Sequence, residues 1–321
     1  MPAYKKISSN IQQLTINNPN SEGKLIWLNI ANPGKKEIEY LRKKYNFDLG
    51  HLHASSSKVV SERPIVNNER DYFFMILHFP IFSEENIIPA EVDFFVSHGY
   101  LVTLHNNNLP ALNNFFNYCK KEITNLASYQ FESSAILLSE ILEKLIYACY
   151  PLLDENGRKI TEVEKLIFAQ AQRRSASKIL VLKRNIINTK KIMQNHKNIL
   201  KQLTSMDSHV VEKMILKKHY SRLVEQAKRI WEIIDLQKEM IDALHATNES
   251  FLNYKMSSIM KTLTIFSVIV FPLTLIAAIF SMRVEGGMPL LNNPIGFWVI
   301  ITSMFLGATL MLWIFEKKRW L

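Results

Sequence analysis

Two long uncharged runs close the chain and predict a hairpin of membrane-spanning helices. No charged residue lies between Lys261 and Arg283, and none occurs from Gly286 to Phe315. The apolar core of each run is about 20 residues long, the length that a helix needs to cross a hydrocarbon layer of roughly 30 Å. Backbone groups inside lipid must be hydrogen-bonded within the segment, so each run should be helical. The predicted segments are a first span at 257–282, an extracytoplasmic loop at 283–294 and a second span at 295–315.

A heptad pattern precedes the first span and predicts a long helix that is continuous with it. No proline or glycine interrupts the chain from Asp207 to Phe271. A helix of that length would measure roughly 100 Å, so it needs other helices to pack against, and we expect these to be copies of itself. Residues 207–256 are therefore predicted to form a stalk. The positions of the heptad seam are Tyr220, Leu223, Ala227, Ile230, Ile234, Gln237, Ile241 and Leu244.

The first part of the chain has the pattern of a mixed α/β domain, which we place at 1–125 in the cytoplasm. After Pro110 helical spacing takes over, and residues 126–206 are assigned to a cytoplasmic helical region. Residues 1–24 are expected to be frayed or to form a first strand. The other predicted elements are a strand from Lys24, a helix over Lys35–Tyr45, a buried strand over Tyr72–Phe79, a hairpin around His98-Gly99, and helices at Ser133–Tyr150, Ile160–Ala171 and Ile179–Leu203.

Charge and cysteine content narrow the class of protein. The formal net charge is +10, but no nucleic-acid-binding motif accompanies it, so nucleic acid is not expected as a partner. The basic tail at 316–321 carries three cations beside Trp320, which is typical of a cytoplasmic membrane edge. The N-terminus lacks the apolar core of a signal peptide, and the two cysteines fit a reducing compartment. We expect a multi-pass protein of the plasma membrane with both termini in the cytoplasm.

Hydroxyl and large apolar side chains share one face of the first span, which we call the stripe. One interpretation is that the hydroxyls bond the carbonyl four residues earlier or help helices to pack. The other is a pore lining whose large apolar members form constrictions that gate by dewetting. The stripe consists of Ser257, Met260, Leu263, Thr264, Ser267, Phe271 and Thr274.

Other candidate chemistry is weak. His51 and His53 are separated by one residue with no third ligand nearby in the sequence, so a metal site there is not expected. There is no GxxxxGK phosphate loop and no arrangement that predicts a catalytic triad. An enzyme is therefore not expected.

Motifs in both halves of the chain match the pattern of one family. The run IMKTLT at 259–264, followed by FPLTLIA at 271–277, is similar to MKxLT…PLTxIAG. Met288-Pro289, the KKRWL tail and the ERP…RDYF segment beginning at Glu62 also fit. The chain resembles the CorA family of magnesium and divalent-cation transporters. This resemblance implies a homopentameric, funnel-shaped channel in the lipid bilayer. It also implies no tightly bound cofactor, with Mg²⁺ or another divalent cation as the transported ion and a candidate regulatory ion.

The filter signature of that family is altered in this sequence. Where the family has Gly-Met-Asn, this chain has Ser281-Met282-Arg283. An asparagine side chain offers an acceptor oxygen to a hydrated cation, whereas arginine has no acceptor. Several arginines around a narrow mouth would also repel a dication. Glu285 could pair with Arg283 and neutralise this charge without restoring the lost acceptor.

Three hypotheses follow, and the first is favoured. The chain is a membrane channel for divalent cations, most simply Mg²⁺, driven by the membrane potential. Alternatively, it is a divergent CorA-like paralogue with altered selectivity, or a non-conducting regulatory subunit, because Arg283 replaces the filter asparagine. The third hypothesis is an enzyme or receptor that the hairpin tethers to the membrane.

Overall fold

A computed structural model describes residues 4–17, 24–56, 64–122, 131–169, 171–205, 213–282 and 295–318. The chain divides into two compact units, Met1–His245 and Ala246–Leu321. The strands of the first unit are β1 Tyr4–Lys6, β2 Ile11–Asn17, β3 Lys24–Ala31, β4 Ile65–Asn68, β5 Phe73–Ser83, β6 Asn86–Val96 and β7 Tyr100–His105. They form one mixed sheet in the order β1-β2-β3-β7-β6-β5-β4, in which β3 and β7 are parallel and the other neighbouring pairs are antiparallel.

The described residues form nine helices. They are α1 Lys35–Tyr45, α2 Leu49–Ala54, α3 Pro110–Glu122, α4 Ser134–Tyr147, α5 Tyr150–Phe168, α6 Gln172–Met193, α7 His196–Ser205, α8 Lys213–Ser281 and α9 Gly296–Lys317. The predicted mixed α/β sheet, the long helix and the two C-terminal apolar helices are confirmed.

The sheet is covered on both faces, as the alternation of its side chains requires. On one face Leu41 of α1 and Leu52 of α2 share a buried cluster with Leu28 of β3 and Phe95 of β6. On the other face the Trp27 ring lies 4.9 Å from the ring of Phe116 in α3, centroid to centroid. Strand residues that point to either face of the sheet are therefore buried, which explains the continuous apolar run in β5.

Several local predictions need correction. Residues 1–24 contribute two strands and the start of a third, and β4 was not expected. The sequence predicts a new turn or helix at Pro151 and a separate helix from Ile160, but one helix begins at Tyr150 and runs through both segments. Pro151 lies in its first turn, where its missing N–H costs nothing. The helix predicted over Ile179–Leu203 is divided at Gln194 and Asn195. This break brings His196 into the core against Phe79, with ring centroids 5.0 Å apart.

The heptad seam is buried inside the chain's own first unit, so the expectation that copies of the chain cover it was wrong. The side chains of Tyr220, Ile230 and Ile234 are fully buried. The Tyr220 hydroxyl donates to the Ala135 carbonyl of α4 at 2.8 Å. Gln237 donates to the Leu153 carbonyl of α5 at 2.7 Å. A heptad pattern indicates a buried helix face but does not identify the helices that bury it.

Ion pairs fix the position of α8 against α6 and α4. Lys183 Nζ lies 2.8 Å from Asp242 Oδ1. Lys190 pairs with Asp235, and Arg222 pairs with Glu143 of α4. The two α6 contacts are seven residues apart on each helix and run in opposite directions, so α6 lies antiparallel to α8.

Candidate ion-conducting site

The second unit contains two helices whose length and composition suit a membrane span. The apolar windows of α8 and α9 have mean hydropathies of 2.6 and 2.0, and almost none of either window is buried within the described residues. A core helix of a soluble protein would be mostly buried. The exposure of these two helices therefore fits contact with lipid or with other chains.

The positions that are covered in this unit follow one face of each helix. In α8, Ile265 is only 8% exposed. The half-buried positions continue from there along α8 at helical spacing, and α9 shows the same spacing. This match indicates that the two spans shield each other along these faces. The positions covered on these faces are Ile265, Ile269, Pro272, Leu273, Ile276 and Phe280 in α8, and Gly296, Ile300, Met304, Gly307, Ala308, Met311 and Phe315 in α9. Ser267 and Val270 of α8 are also half-buried but lie off this face.

The stripe lies on the side of α8 opposite to the covered face, counting about 100° per residue. Phe271 is 70% exposed, and Met260 and Leu263 are also exposed. Ser257, Thr264 and Thr274 are exposed as well, and Ser267 is half-buried. The structure thus brings all seven predicted side chains onto one face that α9 does not cover.

The two threonine hydroxyls of the stripe bond to their own helix. Thr264 Oγ1 donates to the Met260 carbonyl at 2.8 Å. Thr274 Oγ1 donates to the carbonyls of Val270 and Phe271, each at 2.9 Å. These bonds satisfy the hydroxyl protons within the helix, so the oxygen lone pairs are the groups left to face outward. Such oxygens can accept hydrogen bonds from the water shell of a cation. The two interpretations of the stripe are therefore compatible.

Pro272 does not interrupt α8, although it lies inside the helix. It removes one backbone donor, because a proline has no N–H. Its side chain belongs to the covered face, and it directly follows Phe271 of the stripe in the sequence. The helix therefore carries a local weakness next to the largest apolar side chain of the stripe.

The altered filter signature lies at the end of α8. Ser281 is the last helical residue, and the Met282 N–H donates to the Ile279 carbonyl at 3.2 Å. Both side chains are exposed. Arg283 and Glu285 fall in 283–294, outside the described residues, as does the whole predicted loop.

The histidine pair singled out in the sequence belongs to the packing of the first unit. His51 Nδ1 lies 3.0 Å from the Tyr72 hydroxyl, and its Nε2 lies 3.1 Å from Asn67 Nδ2. His53 is exposed. Within the ranges that the structure covers, no three His, Cys, Asp or Glu side chains are grouped to hold a metal ion.

A buried polar pair was missed in the sequence. His78 Nε2 lies 3.0 Å from Glu91 Oε2, and both residues are buried. They face each other across the β5–β6 register. Thirteen residues separate them, and no local motif joins them. Their partnership could be found only after the strand register was known.

Sequence comparison finds the same family over nearly the whole chain. The family described as CorA-like Mg²⁺ transporter protein matches residues 22–319. The cobalt/magnesium transport protein CorA of Methanocaldococcus jannaschii is 24% identical over 299 residues, which cover 93% of this chain and 92% of that protein. The magnesium transport protein CorA of Wolinella succinogenes is 18% identical over 315 residues, which cover 96% and 94% of the two chains.

Solved structures show the same fold. The complete CorA magnesium transporter of Methanocaldococcus jannaschii superposes with a TM-score of 0.84 at 21% identity, covering 98% of this chain and 100% of that chain. The full-length CmaX protein superposes with a TM-score of 0.72 at 16% identity, covering 94% and 90%. The α/β unit, the long helix and the two apolar helices are thus arranged along the chain as in a known architecture.

Proposed function

The chain belongs to the CorA-like Mg²⁺ transporter family, and we propose from this membership and the stripe that it conducts Mg²⁺ or a related divalent cation across a membrane. One observation carries the proposal: the hydroxyl-bearing face of α8 is turned away from α9. In lipid a polar face without a partner is costly, so this face is expected to line a path for a hydrated ion. Mg²⁺ is the cargo in this proposal, and no resident cofactor is required.

We propose that several copies assemble around the stripe as a homopentamer. The seam cannot hold the copies together, because it is already buried in each chain. A second apolar row on α8 remains outside. Its central residue, Leu236, is 58% exposed, and Met240 is also exposed. Ile233 extends the row and is half-buried. Exposed apolar residues spaced three and four apart are typical of a helix that meets another helix.

The distribution of charge supports a topology in which both termini lie in the cytoplasm. In the second unit the described cations are Lys255, Lys261, Lys317 and Lys318. Lys255 and Lys261 precede the apolar run of α8, and Lys317 and Lys318 follow the apolar run of α9. Positively charged flanks favour the cytoplasmic side. A plasma-membrane location follows from the same proposal.

Ion conduction can be tested by measuring Mg²⁺ entry into proteoliposomes with an internal Mg²⁺-sensitive dye. A potential negative inside is imposed, and protein-free vesicles serve as the blank. Entry well above the blank, falling when the potential is reversed, is the expected result. Entry equal to the blank in vesicles that contain correctly inserted protein would reject conduction by the native chain.

The same assay isolates the contribution of the altered filter. The matched variant is Arg283→Asn combined with Ser281→Gly, which restores the family signature. Because Arg283 adds positive charge and lacks an acceptor, we expect the variant to admit Mg²⁺ faster than the native chain. Equal rates would show that these two positions do not limit entry.

A further inference from the structure

The charges of the second unit gather at one edge of its two spans. Between 246 and 318, apart from 283–294, the acidic side chains are Glu249 and Glu316, against four lysines. The ends of α8 and α9 on the other side, Leu275–Met282 and Ile295–Val299, carry no charge. The unit therefore has one basic edge and one neutral edge within the described residues.

Two of these lysines lie together at the end of α9. Lys317 is its last helical residue, and Lys318 follows directly. Both side chains are exposed. The two cations form a basic belt at this edge.

An exposed indole completes this belt. The Lys317 ammonium lies 5.1 Å from the centre of the Trp313 ring. Trp313 is 56% exposed, and it stands one turn deeper in the span than Lys317. An indole has an apolar body and one N–H donor, a combination suited to the boundary between acyl chains and headgroups.

We propose that Trp313, Lys317 and Lys318 bind the phosphate of an anionic phospholipid. The lysines supply charge-assisted donors, and the indole packs against the glycerol and upper acyl region. A zwitterionic lipid carries a compensating ammonium on the same headgroup, so it should bind this belt less well. The proposal rests on the proposed function only in that the two spans are inserted in a bilayer.

Lipid retention measured by native mass spectrometry tests the proposal without measuring transport. The full-length protein is placed in nanodiscs that contain equal amounts of dioleoyl phosphatidylglycerol and dioleoyl phosphatidylcholine, and the lipids that remain bound are counted. Each juxtamembrane cation favours an anionic headgroup by about fivefold. We therefore expect bound phosphatidylglycerol to exceed phosphatidylcholine by at least about fivefold in the native chain.

Matched charge deletions locate the site. Lys317→Gln with Lys318→Gln should bring the ratio of the two lipids close to one. Lys35→Gln with Lys36→Gln removes the same charge from exposed positions on α1 and should leave the ratio unchanged. Trp313→Phe, which keeps a ring but removes the N–H donor, should give an intermediate ratio.

Two results would overturn the proposal. One is an equal lipid ratio in the native chain, or a ratio that the Lys317 and Lys318 substitutions do not change. The other is displacement of phosphatidylglycerol by excess inorganic phosphate, since the belt would then recognise a free anion. A protein that retains neither lipid has not entered the bilayer, and that outcome would count against both this site and the proposed function. Lipid selectivity without Mg²⁺ entry would count against the proposed function alone.

Discussion

The Tyr220 hydroxyl of α8 donates a hydrogen bond to the Ala135 carbonyl of α4, across 2.8 Å and 85 positions of sequence. Burial raises the pKa of this phenol well above its usual range, so the bond is made by a neutral hydroxyl. The helical region and the long helix, which the sequence predicts as separate segments, are thus joined inside one unit.

Tyr220→Phe should destabilise the first unit by about 1 kcal/mol, because one buried hydrogen bond is lost and the carbonyl keeps one partner fewer. The measurement is the thermal unfolding midpoint of the full-length protein in detergent. Tyr147→Phe is the control, since Tyr147 is exposed in the same unit. An equal shift in both variants would contradict the role given to the bond.

The seam and the second apolar row of α8 should respond differently to substitution. Ile234→Ala removes a fully buried side chain, so it should lower stability by roughly 2–5 kcal/mol. Leu236→Glu places a charge on the exposed row and should weaken assembly while leaving the unfolding of each chain nearly unchanged. Light scattering on size-exclusion fractions reports the assembly, and thermal unfolding reports the fold. Assembly that tolerates Leu236→Glu would remove this row from the interface.

Phe271→Ala should increase Mg²⁺ entry severalfold, since a smaller side chain lowers the barrier to wetting of an apolar constriction. Phe305→Ala is the matched control, because Phe305 is similarly exposed on α9 and is expected to face lipid. The rate of dye response in proteoliposomes measures both. If the two variants behave alike, Phe271 does not form a constriction.

Thr264→Val and Thr274→Val should each reduce Mg²⁺ entry, because each removes an acceptor oxygen from the proposed ion path and keeps the shape of the side chain. A fall of about tenfold corresponds to 1.4 kcal/mol. Thr309→Val on α9 loses the same kind of bond to its own helix and should conduct normally. A loss of entry in Thr309→Val as well would point to a general effect on the spans.

Stability of the first unit should fall as the pH is lowered from about 6.5 to about 4. Burial lowers the pKa of His105 to about 4. Burial, with a smaller effect from His78, lowers the pKa of His196 to about 4. In this window the unfolded chain binds protons that the folded chain excludes, so each histidine costs up to about 3 kcal/mol at the acid end.

His196→Leu tests this window directly, since it removes one of the two groups. Unfolding midpoints measured between pH 7 and 4.5 should decline less steeply than in the native chain. His53→Gln changes an exposed histidine and should leave the slope unaltered. Parallel slopes in all three proteins would rule out His196 as a source of the pH dependence.

Elements with their own periodicity were the ones that could be predicted. The uncharged runs, the alternation around His98-Gly99 and the pattern over Lys35–Tyr45 each contain the information that a span, a hairpin or a helix requires. Partners that lie far apart in sequence could not be predicted. The spacing of Tyr220 and Ile234 indicated burial correctly, but the helices that bury them became visible only in the fold.

The candidate site, too, could be predicted from the sequence only in part. Spacing placed Ser257, Thr264 and Thr274 on one face, but the direction of that face depends on α9, whose covered positions no local motif reveals. The assignment of these residues to a pore stays a prediction, as do the roles of Arg283 and Glu285. The segment boundaries at 1–125, 126–206 and 207–256 also stay predictions.

Continuity of α8 makes the shared face of the stripe depend on exact residue spacing. Met260 and Thr274, near the two ends of the stripe, are joined by helix without a break. Inserting one residue between them would rotate Thr274 by about 100° relative to Met260, whereas inserting seven would rotate it by only about 20°. A one-residue insertion would thus keep every named side chain and still divide the stripe between two faces of the span.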